Sequence, residues 1–404
     1  MAPTKKELIL AGLVLLAAPL FVEIALRVGR VQFDPQLYGP DRELGWVLRR
    51  DASGLVTTET NQYVHINGHG FHDRERSYDK PENTIRVAVL GNSWTEALQV
   101  AVEKNYCSVV EKELTARHCF GERRVEVLNF GVAGYSTAQE LLTLRQEVWK
   151  YHPDLVLVAL SPARDIANNV RELNNAVDPE RSPYFVYRGD KLVEDESFRS
   201  LVALQPRQIV LQNANYQMNQ RVRVLQAITA MQRFGKIRIA MASVKDRAEK
   251  SGVENLEFMI YEPPTLPAMR AAWSVTEGLL LEIRGEVKEH GAELRIVTLA
   301  TRPQVIPDIE RRAELMRKLG VQDLSYADRR IKEFGEREGI PVTNLGPALS
   351  AYAKAHQVYL NGFNEKNYGA GHWNETGHRA AGEAIAADLC AAAQNNLPLA
   401  TVEH

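Results

Sequence analysis

One serine, one histidine and two polar turns hold most of the chemistry this chain offers. Ser93 follows Gly91-Asn92 at the end of the apolar run Ile85–Leu90, the pattern of a buried parallel strand closed by a turn. Such a serine either caps the next helix or, given a base, becomes a nucleophile. It is not the elbow of G-x-S-x-G hydrolases, because Thr95 stands where the second glycine belongs. The candidate base lies far downstream, in Gly371-His372-Trp373-Asn374-Glu375-Thr376-Gly377-His378. Imidazole titrates in the range that activating a hydroxyl requires. Two further turns follow strand-like runs: Gly131-Val-Ala-Gly134, whose amides can face a polarised carbonyl oxygen, and Arg164-Asp165. His65, His69 and His72 read as loop histidines, because no cysteine and few well-spaced acids accompany them.

Positioning these residues requires a sheet. Ile85–Leu90, Val125–Asn129, Asp154–Leu160, Glu293–Ala300 and Ile340–Leu345 read as strands. Helical patterns over Ala101–Arg117, Ala138–Lys150, Trp273–His290 and Ser325–Glu338, and from Asn374 onward, lie between and after them. That alternation predicts βαβ units and a parallel sheet of about five strands, whose carboxyl ends gather ligands in one crevice. The rhythm breaks at about 166–272, read as an insertion that walls the site, with a hairpin over Pro183–Val193 and a helix over Ile209–Phe234.

Residues 31–83 read as a lead-in packed on a domain spanning 84–395, with β-type pieces at Gly54–Thr58 and Tyr63–Ile66. Residues 1–30 hold an uncharged run, Leu8–Val22, continued through Val28 and long enough to span a bilayer. The expectation is an uncleaved signal anchor; a cleaved signal peptide or a buried helix are the alternatives. Glu23 and Arg27 can pair at helical spacing. Composition, 45% hydrophobic and 25% charged, is that of a globular chain, and a net charge of −2 argues against nucleic acid. Cys107, Cys119 and Cys390 make no disulfide framework and read as apolar fillers, leaving the redox compartment open.

Taken together, the blocks resemble the SGNH/GDSL hydrolase superfamily, in particular its membrane-anchored bacterial branch. Gly91-Asn92-Ser93 with Trp94-Thr95-Glu96 stands for the first block and Asn129-Phe130-Gly131 through Ser136 for the second. Arg164-Asp165 stands for the third and His372-Trp373-Asn374 for the last. The resemblance implies a flavodoxin-like, three-layer doubly wound fold without cofactor or metal. It implies Ser93 and His372 as catalytic residues and an oxyanion hole of Ser93, Gly134 and Arg164. Asn92, Asp165 and Trp373 are expected to meet substrate. The implied activity is hydrolysis or transfer of ester-linked acyl groups, with an acylated envelope or extracellular glycan as partner and the domain outside the cytoplasm. Three positions depart from the pattern: Asn92 replaces Asp, Arg164 replaces Asn, and Gly369 and Ala370 stand where the acid before His372 belongs. His372 would then need a backbone carbonyl, water or a remote acid such as Glu365. A catalytically degenerate relative that only binds a glycan or envelope partner is the alternative function.

Overall fold

The computed structural model describes residues 4–33, 35–174, 178–232, 235 and 256–394, without the side chains of 10–16, 256 and 257. Its centre is a five-stranded sheet built from β5 (Thr84–Gly91), β6 (Arg124–Asn129), β7 (Leu155–Leu160), β10 (Glu293–Thr298) and β11 (Val342–Asn344). The order across the sheet is β11-β10-β7-β5-β6 and every pairing is parallel. Numbered within the sheet, that is the 2-1-3-4-5 doubly wound arrangement, which reverses direction between its first and third strands. All five predicted strands are present.

Alternation along the strands makes two cores. Ala88, Leu90, Val156 and Val158 face one layer; Val87, Val89, Leu155 and Leu157 face the other. The first layer holds α4 (Thr137–Gln146), α7 (Pro267–Glu289) and α9 (Tyr326–Glu338), through Leu141, Leu279, Ile283 and Phe334. The second holds α3 (Tyr106–Ala116), α10 (Leu345–His356) and α11 (Glu375–Gln394), through Val110, Leu114, Leu349 and Ile385. Two short helices lead off the strands that carry the site, α2 (Ser93–Glu96) after β5 and α5 (Pro162–Asn168) after β7. Three helices went unpredicted, α5 among them. Gly346 and Pro347 sit in the first turn of α10, where amides need no helical partner. In α8 (Ile309–Leu319) no residue is fully buried, and Met316 and Leu319 pack half-buried against the first core.

The lead-in forms two antiparallel pairs, β1 (Tyr38–Asp41) with β2 (Gly45–Leu48) and β3 (Ser53–Val56) with β4 (Gln62–His65). Leu37, Leu48, Val64, Ile66 and Phe71 join the first core. Arg86, almost fully buried on β5, ties it down. Its guanidinium donates to the carbonyls of Ser77, Tyr78 and Asp79 at 2.9–3.1 Å and pairs with Glu126 at 2.8 Å. Arg86→Met is expected to cost about 3–5 kcal/mol, because Glu126 stays buried with only Arg124, at 3.0 Å, and the carbonyls of Ser77, Tyr78 and Asp79 lose their donor. The double change Arg86→Met/Glu126→Leu should recover part of that loss in urea unfolding.

Helix α1 (Lys5–Val28) starts on a Thr4 capping box, and Arg27 pairs with Glu23 at 2.7 Å as its spacing suggested. Among the described residues, no helix is long and apolar enough to cross a membrane; the side chains of 10–16, the middle of the apolar run, lie outside them. In the insertion, β8 (Tyr184–Arg188) and β9 (Lys191–Asp195) form the expected hairpin, followed by α6 (Pro206–Arg221) and helical residues 223–232. The reading of 236–255 lies outside the described residues.

The cysteines require a correction. Cys119, just past α3, and Cys390 in α11 form a disulfide, with Cα atoms 4.9 Å apart. Helical spacing separated Cys107 from Cys119 but said nothing about a partner 271 positions away. Cys107 alone is a buried filler.

Candidate active site

Ser93 is the first residue of α2, and Asn92 caps that helix by accepting from the Trp94 amide at 3.1 Å. The serine therefore sits at the carboxyl end of β5, beside the point where the sheet reverses direction. Its Oγ is 2.8 Å from Nε2 of His372. Behind the imidazole stands Glu59, in the loop joining β3 to β4. One Glu59 carboxylate oxygen is 2.8 Å from His372 Nδ1, and the other accepts the His372 amide at 2.9 Å. Burial alone would raise the Glu59 pKa, but the His372 side-chain bond, the His372 charge and amide, and Arg302 together hold it below the usual carboxylate value. An ionised Glu59 accepts from Nδ1–H, which leaves the Nε2 lone pair to take the Ser93 proton. Gln99 also approaches Nδ1, at 3.3 Å. A protonated Nδ1 cannot accept from it, and the shorter, two-point contact with Glu59 fixes the ring.

Glycine makes this contact feasible. Gly371 has φ +68°, and a Cβ there would reach the Glu59 carboxylate. Glu59 thus takes the place beside His372 that no acid of the preceding turn fills. Glu365 is exposed on the 362–371 loop and is not the partner.

The second turn is braced from the lead-in. Gly134 has φ +83° and lies under the Trp46 ring. Trp46 Nε1 donates to the Ala133 carbonyl at 3.0 Å, and the Tyr135 hydroxyl donates to the Trp46 carbonyl at 2.7 Å. Below them is Glu96, fully buried. Burial pushes its pKa up to about 8, against the Ala133 amide and the Tyr38 hydroxyl, which donates to both carboxylate oxygens at 2.9 Å.

Asn92 donates to Asp165 at 2.6 Å, and Asp165 also accepts the Ser161 amide at 2.5 Å. Burial raises Asp165 to about 7, opposed by Ser161, Asn92 and Arg164. An aspartate at 92 would set carboxylate against carboxylate, so the amide is the better partner for Asp165.

Ser93, His372, Glu59, Asn92, Gly134 and Arg164 all border one cavity of about 670 Å³. Trp46 and Tyr38 of the lead-in border it on one side, Phe258 and Tyr261 of the insertion on another. Arg164, Arg181 and Arg302 supply cations; of the two acids, Glu59 is held by His372 and Asp178 by Arg181 at 2.8 Å. Two expected substrate contacts need correction. Asp165 is fully buried and supports Asn92 instead. Trp373 is also fully buried, packed edge-on against Trp94 with centroids 5.2 Å apart. The alternation that sends His372 to the cavity sends its neighbour into the second core. His378 is buried too, and burial, with the charges of His372 and His72, lowers its pKa to about 3, so it stays neutral.

Glu59 is the residue that sequence reasoning missed. Its only signal was the pair of β-type pieces flanking it. Among the described residues, one group has metal-ligand atoms within 4.8 Å of each other: Asp51, His65 and Glu75, all exposed and apart from the cavity lining.

No protein-family model matches the chain, and no curated protein does. Among solved structures, the chain is similar to the acetyl xylan esterase AlAXEase at 12% identity and a TM-score of 0.38, covering 75% of this chain and 99% of that one. A catalytic mutant of Axe2, an acetylxylan esterase from Geobacillus stearothermophilus, matches at 12% identity and a TM-score of 0.37, with 76% and 94% covered. A lipase/acylhydrolase from Enterococcus faecalis matches at 14% identity and a TM-score of 0.33, with 76% and 96% covered. At such identities and scores, the similarity carries no functional argument.

Proposed function

We propose that this protein is a serine esterase or acyltransferase of the SGNH/GDSL type, acting on ester-linked acyl groups of glycans. The observation that carries the reading is the hydrogen-bonded line Ser93–His372–Glu59 opening into the cavity. Ser93 Oγ attacks the acyl carbonyl carbon while His372 Nε2 takes the hydroxyl proton. Glu59 holds Nδ1 and stabilises the imidazolium. The oxyanion faces the amides of Ser93 and Gly134 and the Arg164 guanidinium. Collapse breaks the ester bond, His372 returns the proton to the leaving sugar hydroxyl, and the acyl group stays on Ser93. Water or a second hydroxyl then removes it by the same steps in reverse. The reading of a degenerate binding relative rested on a missing acid and on Arg164 in place of the oxyanion asparagine; Glu59 supplies the acid. Release of acetate from acetylated xylan or mannan, and from a simple acetyl ester, is the test; inertness toward all of them would return the binding reading.

The membrane-anchored branch fits the apolar run in α1, and the Cys119–Cys390 bond suits an oxidising compartment outside the cytoplasm. Both features support an anchored, extracytoplasmic enzyme.

Arg164 separates two substrate readings. As an oxyanion donor, its loss in Arg164→Ala should lower kcat by about 10²–10³ on neutral and acidic acyl sugars alike, and Arg164→Asn should restore part of it. As an anchor for a uronate carboxylate, both changes should raise KM for the acidic substrate alone. Unchanged kinetics on both substrates would remove Arg164 from the mechanism.

A further inference from the structure

The inward side of α6 is polar. Asn213 accepts from Arg49 at 2.6 Å, the Tyr216 ring lies under the same guanidinium at 4.2 Å, and Gln212 donates to the Ala203 carbonyl. The outward side is apolar. Val210, Leu211, Ala214 and Met218 share it at helical spacing, with Arg207 and Arg221 at its two ends. No residue of this helix is buried. Val202 before it and Met231 beyond it extend the same exposure, and these large apolar side chains are 55–76% exposed. A helix normally turns its apolar side chains to the core; here, among the described residues, they stay exposed.

Two further observations name the occupant. The end of α1 is bonded to the end of α6: Arg27 donates to the Arg221 carbonyl at 2.7 Å, and Glu23 accepts the Val224 amide at 2.9 Å. The apolar stripe is therefore tied to the end of the apolar N-terminal helix. Charge agrees. Residues 201–232 carry three Arg, at 207, 221 and 223, and no acid, in a chain of net charge −2. Apolar side chains framed by cations are what an interfacial helix offers to anionic headgroups.

The geometry points to the outward face of α6 as a surface that lies in the interface of an anionic phospholipid bilayer. This rests on α1 being the anchor; it is independent of the esterase chemistry. A second copy of the chain is the competing occupant.

The test uses the full chain in nanodiscs. Single cysteines at Val210, Met218 and, as control, Glu122 near the start of β6 take an environment-sensitive fluorophore. The native cysteines are out of reach, since Cys107 is buried and the other two are bonded. In discs containing phosphatidylglycerol and lipids with a nitroxide high on the acyl chain, the first two labels should shift to the blue and lose several-fold intensity. The Glu122 label should do neither. Arg207→Gln/Arg221→Gln should weaken the quenching in anionic discs, as should pure phosphatidylcholine. Co-migration with discs but no quenching at either site overturns the surface and leaves the anchor standing. Failure to co-migrate overturns both. A blue shift that persists in detergent, at the mass of a dimer, assigns the face to a second copy instead.

Discussion

With Ser93→Ala, turnover of an acetyl ester is expected to fall by about 10⁶ in kcat, to a residue of catalysis left by the oxyanion donors and binding. The size follows from the geometry. The Ser93 hydroxyl is the group bonded to the free nitrogen of His372, and without it neither the proton transfer nor the acyl intermediate can occur. A fluorophosphonate probe should form a covalent adduct on the peptide carrying Ser93 and none on the alanine variant. Binding of an acylated glycan should survive the change, because an alanine leaves the cavity open. Labelling that persists in Ser93→Ala, or turnover above a hundredth of the wild-type level, would show that the nucleophile lies elsewhere.

Glu59→Gln is the second large effect: a loss of about 10⁴ in kcat with little change in KM, the scale seen when a triad carboxylate becomes an amide. The amide keeps the volume and a hydrogen bond, so the hairpin loop stays where it is. It loses the charge that stabilises the imidazolium, and it can present an NH2 to Nδ1 and so favour the wrong tautomer. Glu59→Asp should recover part of the rate. Glu59 is one-fifth exposed at its side chain, so neither change should unfold the protein, and unchanged circular dichroism with lost activity separates chemistry from stability. Wild-type kcat in Glu59→Gln would end its role.

The sheet was readable because β5, β6 and β7 are near-continuous apolar runs, and such runs have few other uses. Ser93, Gly134 and His372 were readable for a related reason: each stands at a turn whose neighbours are constrained in residue type. Glu59 obeys no such constraint. It is one of 51 Asp and Glu, in the loop of a local hairpin of two four-residue strands, while its partner lies at the far end of the chain. Its nearest sequence clue was an absence, the missing acid before His372. Trp373 failed in the opposite way. It sits beside the base in the chain, yet its side chain turns toward the core, and adjacency in sequence does not separate those two directions.

Glu59 and His372 are 313 positions apart, and that distance bears on when the proposed chemistry can begin. A chain emerging from the ribosome exposes its acid first, its nucleophile next and its base only near the end. Until α11 folds against α3, Ser93 is an ordinary alcohol with no proton acceptor. Closing so long a loop is slow, so competence comes after the rest of the sheet has formed. A fragment ending just before 372 would keep the nucleophile and the oxyanion turn, yet lack the base and remain chemically silent. The topology thus delays reactivity to the last step of folding.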